Sequence, residues 1–152
     1  MKQTTLCYIK QNGQVLLMHR TKKLHDPNSG KWIGIGGHFE EGETPEGCLL
    51  REVKEEAGVV LTSYQYLGVI VFDSDAYETE QMHLFTADAF EGDVDFDCDE
   101  GELAWVPVDQ VMDLPTWEGD MQFLPYVLKG CDKFLRLHLV YHGDTLVEVR
   151  QE

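Results

Sequence analysis

Gly36-Gly37-His38-Phe39-Glu40-Glu41-Gly42-Glu43-Thr44-Pro45-Glu46-Gly47-Cys48-Leu49-Leu50-Arg51-Glu52-Val53-Lys54-Glu55-Glu56-Ala57-Gly58-Val59-Val60 is the stretch that decides how the rest of the chain is read. Its second half predicts a helix from about Pro45 to about Ala57. Thr44 offers a hydroxyl to the first turn and Pro45 suits the first helical position. Glu46 suits the positive end of the dipole, and Gly58 the left-handed residue that ends a helix. Leu49, Leu50, Val53 and Ala57 recur at three- and four-residue steps and are expected to face a core, while Glu52, Glu55 and Glu56 share the opposite face. Neighbouring like charges on a helix cost about 0.2–0.5 kcal/mol per pair, so stability gives no reason to gather them, although Arg51 offsets Glu55 at i+4. A hard cation reverses that sign, because oxygen ligands and Mg²⁺ belong together. Gly34, Gly36 and Gly37 ahead of the helix let backbone carbonyls approach a ligand closely. The stretch therefore reads as a metal site.

An acidic helix face is ordinarily just solvated, and here the spacing argues otherwise. Gly37, five residues, Glu43, seven residues, Arg51-Glu52-Val53, one residue, Glu55-Glu56, one residue and Gly58-Val59 match every position of the Nudix box. With seven fixed residues at about one in fifteen each and two apolar positions at about one in four, chance gives such a match on the order of once in a billion starting points. The chain thus resembles the Nudix hydrolases. That resemblance implies an α/β fold, an α/β/α sandwich with a central mixed β-sheet, and a Mg²⁺-dependent attack of water on a nucleoside diphosphate linked to another group, with Mn²⁺ able to substitute.

The composition fits this chemistry. A chain of 152 residues, 43% of them hydrophobic, suits a single domain spanning 1–152 with a real core. A formal net charge of −16 argues against nucleic acid or an anionic membrane as partner, since both call for basic patches. A polyphosphate substrate needs cations to bridge it to such a protein. Cys7, Cys48, Cys98 and Cys131 form no Cys-x-x-Cys pair, so neither zinc nor a redox motif is signalled and reduced thiols are expected. The N-terminus enters a strand-like run at once, and no apolar run approaches a membrane span of about 18 residues; the expected location is cytoplasmic. The oligomeric state stays open between monomer and homodimer.

Along the chain, Thr4 to Ile9 and Val15 to Arg20 flank Asn12-Gly13, a hairpin signal. Residues 21–31 have loop composition, with Arg20, Lys22, Lys23 and Lys31 around Asp26-Pro27-Asn28-Ser29-Gly30; a basic group beside an acidic helix suits phosphates. Tyr64 to Phe72 and Gln81 to Phe90 read as strands separated by a polar loop at 73–78. The segment 91–102 holds seven carboxylates, of which Glu100 is the candidate to complete the metal site, because it precedes the strand Leu103 to Val106. Asp109 to Met112 suggests one helical turn, and Met121 to Lys129 a helix that Pro125 kinks or begins. Phe134 to Tyr141 and Thr145 to Arg150 embrace a tight turn at His142-Gly143-Asp144. His38 reads as an ordinary loop residue.

Beyond the box the chain is similar to the MutT-type branch, the 8-oxo-dGTP diphosphatases, and most to the animal form. The likeness is carried by Lys31-Trp32-Ile33-Gly34-Ile35-Gly36-Gly37, Met82-His83-Leu84-Phe85, Asp99-Glu100, Trp117-Glu118-Gly119-Asp120 and Phe123-Leu124-Pro125. It implies that the box glutamates, with Glu100 and the Gly36 carbonyl, hold Mg²⁺: the ligand set Gly36, Glu52, Glu55, Glu56 and Glu100. It also implies that Trp117 stacks on the purine. Glu52 is the first choice for general base and Glu100 the second; Arg51 orders the glutamates, and Glu43 supports the loop from outside. Lys23, Ile33, Gly37, Trp117 and Asp120 are the candidate substrate contacts. The animal enzymes place an asparagine where this chain has Ile33 and two adjacent aspartates where it has Gly119-Asp120. A pocket lacking such groups senses shape and stacking more than base-edge hydrogen bonds. The expected reaction is hydrolysis of a purine nucleoside triphosphate to the monophosphate and pyrophosphate. The rivals are a Nudix pyrophosphatase acting on a nucleotide sugar, dinucleoside polyphosphate or capped RNA, and a non-catalytic nucleotide sensor.

Overall fold

A computed structural model describes residues 1–22 and 25–151. The hairpin is present: β1 (Lys2–Gln11) and β2 (Gln14–Arg20) pair antiparallel across Asn12-Gly13, both at positive φ. Two short strands, β3 (Trp32–Ile33) and β4 (Ile35–His38), add to β2 and β1 respectively. The helix α1 spans Pro45–Ala57, with Thr44 accepting a hydrogen bond from the Gly47 N–H and Gly58 left-handed at its end. The capping residues therefore set both ends of the helix, as the sequence predicts.

After α1 come β5 (Val60–Ser74), β6 (Glu80–Glu91), β7 (Asp97–Cys98) and β8 (Gly101–Pro107). The polar loop expected at 73–78 is shorter than read, because β5 runs on through Ser74. A 3₁₀ turn at Val108–Asp113 stands where one helical turn was expected. The helix expected from Met121 starts later. Glu118–Gln122 is 3₁₀, and α2 occupies Leu124–Lys129, with Pro125 in its first turn where its missing N–H costs nothing. β9 (Leu135–His142) and β10 (Thr145–Gln151) close the chain as a hairpin.

Among the described residues the strands form one mixed sheet in the order β10-β9-β5-β6-β1-β2-β8-β7, parallel at β1–β6 and β5–β9. Alternation in the central strands feeds both faces. Cys7, Ile9, Leu16 and Met18 pack with Leu49, Val53 and Ala57 of α1, while Tyr8, Val15 and Leu17 pack with Val111, Phe123, Leu124 and Val127 on the other side. Helical layers thus cover both faces of the sheet, which is the α/β/α sandwich. Burying Leu49 and Val53 of α1 contributes about 1.5–3 kcal/mol each.

Leu50 corrects one expectation: it is 37% exposed, and Cys48 takes the core position beside Leu49. Successive helical residues are about 100° apart, so a stripe centred on Leu49 and Val53 leaves Leu50 to one side and draws in Cys48. Among the described residues no helix is long and apolar enough to cross a membrane.

Candidate active site

The α1 face opposite the core opens on a cleft of about 360 Å³, in the size range of ligand pockets. At one end it is lined by Glu52, Glu100, Gly36 and Gly37, and at the other by Trp117, Asn28, Tyr77, Tyr141, Phe72 and Asp120; Ile33 also lines it. Lys23 lies outside the described residues. His38, expected as an ordinary loop residue, ends β4 and is exposed at the cleft's rim.

Arg51 organises the acidic end. Its guanidinium donates to both carboxylate oxygens of Glu43 (2.7 and 2.8 Å), to Glu52 Oε1 (2.9 Å), to Glu55 Oε2 (3.1 Å) and to the His38 carbonyl (3.0 Å). This holds Glu43 down to about 2 and raises Arg51 itself. Glu55 is the outer member of the group, its side chain largely exposed; of the box glutamates on α1, Glu52 is the one that lines the cleft. Glu56 is the inner one, accepting from the Gly36 N–H at 3.1 Å. Burial first, then the charges of Glu100 and Glu52, push the Glu56 carboxyl far above the carboxylate range, and burial also raises Glu52. A Cβ on Gly37 would lie 2.6 Å from the Glu52 carboxyl carbon, so any side chain there would push that carboxylate from its place.

Among the described residues no three His, Cys, Asp or Glu side chains are gathered as a finished metal cage. The donor set nonetheless fits a divalent hard cation. Glu100 and Glu52 are close enough to Glu56 for their charges to raise it, and Glu100 also raises Glu52, a crowding of negative charge that a bound cation relieves.

Sequence reasoning grouped Arg20 with the basic residues suited to phosphates and missed that it holds two carboxylates. This nearly buried side chain donates from Nε to Asp26 Oδ2 (2.7 Å) and from Nη1 to Glu100 Oε2 (2.9 Å). The β2–β8 register sets Arg20 opposite Gly101, and so places it beside Glu100. The signal available was a charge ending the apolar run Val15-Leu16-Leu17-Met18.

At the other end, Trp117 donates from Nε1 to Asn28 Oδ1 (2.7 Å), and Tyr77 and Tyr141 meet its ring edge-on. The Lys31 ammonium sits 4.5 Å from the ring centroid. Where the animal-type pattern has its first aspartate, the chain has Gly119. The Tyr141 hydroxyl accepts from the Gly119 N–H at 2.7 Å, and a side chain there would collide with that hydroxyl. Asp120 is 4% exposed, and Thr116 donates to its Oδ2 at 2.6 Å.

Burial raises Asp120 to about 7 from an ordinary 3.8. A folded-state pKa raised in this way contributes stability that is fully present below pH 3.8 and is lost as pH rises to about 7, up to about 4 kcal/mol. Asp120→Asn is therefore expected to melt progressively higher than the wild type as pH is raised from 5 to 8, by thermal unfolding followed by circular dichroism. A melting difference that does not change with pH would mean the carboxyl is solvated.

The NUDIX domain model matches residues 2–127. An uncharacterized Nudix hydrolase, YvcI of Bacillus subtilis, is 31% identical over 134 residues, covering 86% of this chain and 81% of that protein. The oxidized purine nucleoside triphosphate hydrolase of Danio rerio is 33% identical over 149 residues, covering 97% and 92%. The crystal structure of the mutator MutT protein from Bacillus halodurans superposes with a TM-score of 0.88 at 27% identity, covering 100% of this chain and 98% of that one. With the box complete on α1 and the sheet order in place, the chain belongs to the Nudix family, as a MutT-type hydrolase.

Proposed function

We propose that the protein hydrolyses purine nucleoside triphosphates, oxidised ones included, to the monophosphate and pyrophosphate. The observation that carries this reading is one continuous cleft with carboxylates at one end and an aromatic, partly polar pocket at the other. A nucleotide has the same two ends. The name of the Danio rerio relative supports the substrate class.

In this reading Glu52, Glu56, Glu100 and the Gly36 carbonyl hold Mg²⁺, with Glu55 extending the acidic face at the rim. Bound there, Mg²⁺ or Mn²⁺ would neutralise phosphate charge and lower the barrier to attack by water. Glu52 takes the proton from that water: burial makes it more basic than an ordinary carboxylate, whereas Glu100 is committed to Arg20. Arg51 fixes the Glu52 rotamer and Glu43 fixes Arg51. Trp117 and Tyr141 form the apolar wall for the base, Ile33 shapes it, Gly37 lets the phosphates approach the backbone, and Asp120 is the polar partner. Lys23 remains a candidate phosphate contact. The setting we assign is the cytoplasm, which keeps thiols such as those of Cys7, Cys48, Cys98 and Cys131 reduced.

Pyrophosphate release from a purine nucleoside triphosphate is expected with Mg²⁺, to stop with excess chelator and to return with Mg²⁺ or Mn²⁺. Undiminished release in chelator would overturn the assignment of the carboxylates.

A further inference from the structure

Asn28 stands beside Trp117 at the base end of the cleft, although it lies outside the box. Its place is built in from β2. Arg20 holds Asp26, whose side chain is 3% exposed, at 2.7 Å. The other Asp26 oxygen accepts from the Asn28 N–H at 3.1 Å, and the Asp26 carbonyl accepts from the Ser29 N–H at 3.0 Å. The Asn28 carbonyl in turn accepts from the Lys31 N–H at 2.9 Å. The loop is thereby tied at both ends, and the Asn28 side chain meets Trp117.

The contact with Trp117 settles the orientation of the carboxamide. An indole N–H only donates, so the group 2.7 Å from it is the amide oxygen, and the NH₂ is turned away. Among the described residues no acceptor answers that NH₂. An asparagine normally reads adenine with both halves of its amide, the oxygen accepting from the six-amino group and the NH₂ donating to N7. Here the oxygen is already used, and only the donor is left for a ligand. A six-oxo purine presents two acceptors, O6 and N7, to that donor, whereas adenine presents a competing donor at position six. Ile33, where the animal-type pattern has its asparagine, supplies no hydrogen bond of its own.

We propose that Asn28 is a specificity-determining residue of this cleft, selecting purines that carry an oxygen rather than an amino group at position six. The inference rests on the nucleotide reading above and adds to it the residue that discriminates and the direction of discrimination. Asn28 supplies, from the loop ahead of β3, a polar group that Ile33 lacks, and Trp117 serves both as wall and as the clamp that orients it.

The test compares kcat/KM for dGTP and dATP in the wild type, Asn28→Asp and Asn28→Ala, with melting temperatures recorded for each. The wild type is expected to prefer dGTP. Asn28→Asp keeps an oxygen for the indole but loses the donor, so the dGTP:dATP ratio is expected to fall about tenfold, the range of one hydrogen bond. Any general repulsion of the anionic substrate by the new charge cancels in that ratio. Asn28→Ala is expected to lose the preference as well. If the ratio is unchanged while both rates fall, Asn28 only steadies Trp117 and the inference is overturned, with the nucleotide reading intact. If the wild type hydrolyses neither triphosphate, the nucleotide reading itself fails and this inference falls with it.

Discussion

Glu56→Gln is expected to lower turnover by about 10²-fold or more while raising the melting temperature of the metal-free protein at pH 8. The two effects have one cause. Glu56 is the inner carboxylate, held against the Gly36 N–H, and its ionised form is disfavoured by burial and by Glu100 and Glu52. Glutamine keeps the shape and can still accept from the Gly36 N–H, but it removes the charge. The fold gains what the reaction loses, the usual sign of a site held at the expense of stability. Glu46→Gln, on the exposed first turn of the same helix, is the control and is expected to leave turnover unchanged. Equal activity of Glu56→Gln and this control would mean that the acidic face is merely solvated.

Arg20→Ala is the second large effect. Asp26 would be left buried without its partner, and Glu100 would lose the group that orients it. Removing one member of a buried ion pair costs about 3–5 kcal/mol, far more than the pair is worth against an apolar replacement. At about 2–4 °C per kcal/mol for a chain of this size, the melting temperature is expected to drop by about 6–20 °C. Arg20→Lys should recover part of this but not all, because a single ammonium cannot serve Asp26 and Glu100 with the fork of a guanidinium. Thermal unfolding followed by circular dichroism measures both variants. A midpoint unchanged in Arg20→Ala would show that the loop and Glu100 are held by other contacts.

Local chemistry makes α1 legible in the sequence alone. Thr44, Pro45 and Gly58 act within one turn of themselves, and the helix begins and ends where they place it. The hairpin at Asn12-Gly13 was legible for the same reason, since the turn itself demands positive φ. Leu50 was misread because its three-residue step to Val53 mimics the stripe centred on Leu49, and because Cys48 was counted as a thiol rather than as a small apolar side chain. The late start of α2 follows from Pro125, which occupies its first turn, while the Gly119 N–H upstream is taken by the Tyr141 hydroxyl from β9, a partner no local pattern names.

What stayed hidden in the site is long-range. Arg20 and Glu100 are 80 positions apart, and Trp117 and Asn28 are 89 apart. No periodicity or spacing joins such pairs; sheet order and register do, and these were not encoded in any one segment. The box supplied the residues Glu52, Glu55 and Glu56, but it did not distinguish Glu56, turned inward against Gly36, from Glu55, turned outward against Arg51.

The central claim is that one cleft holds a nucleotide with its phosphates at the glutamates and its base at Trp117. Product analysis of a purine nucleoside triphosphate incubated with the protein and Mg²⁺ tests it most directly. The account predicts nucleoside monophosphate and pyrophosphate in equal amounts; nucleoside diphosphate and orthophosphate, or cleavage confined to nucleotide sugars, dinucleoside polyphosphates or capped RNA, would contradict it.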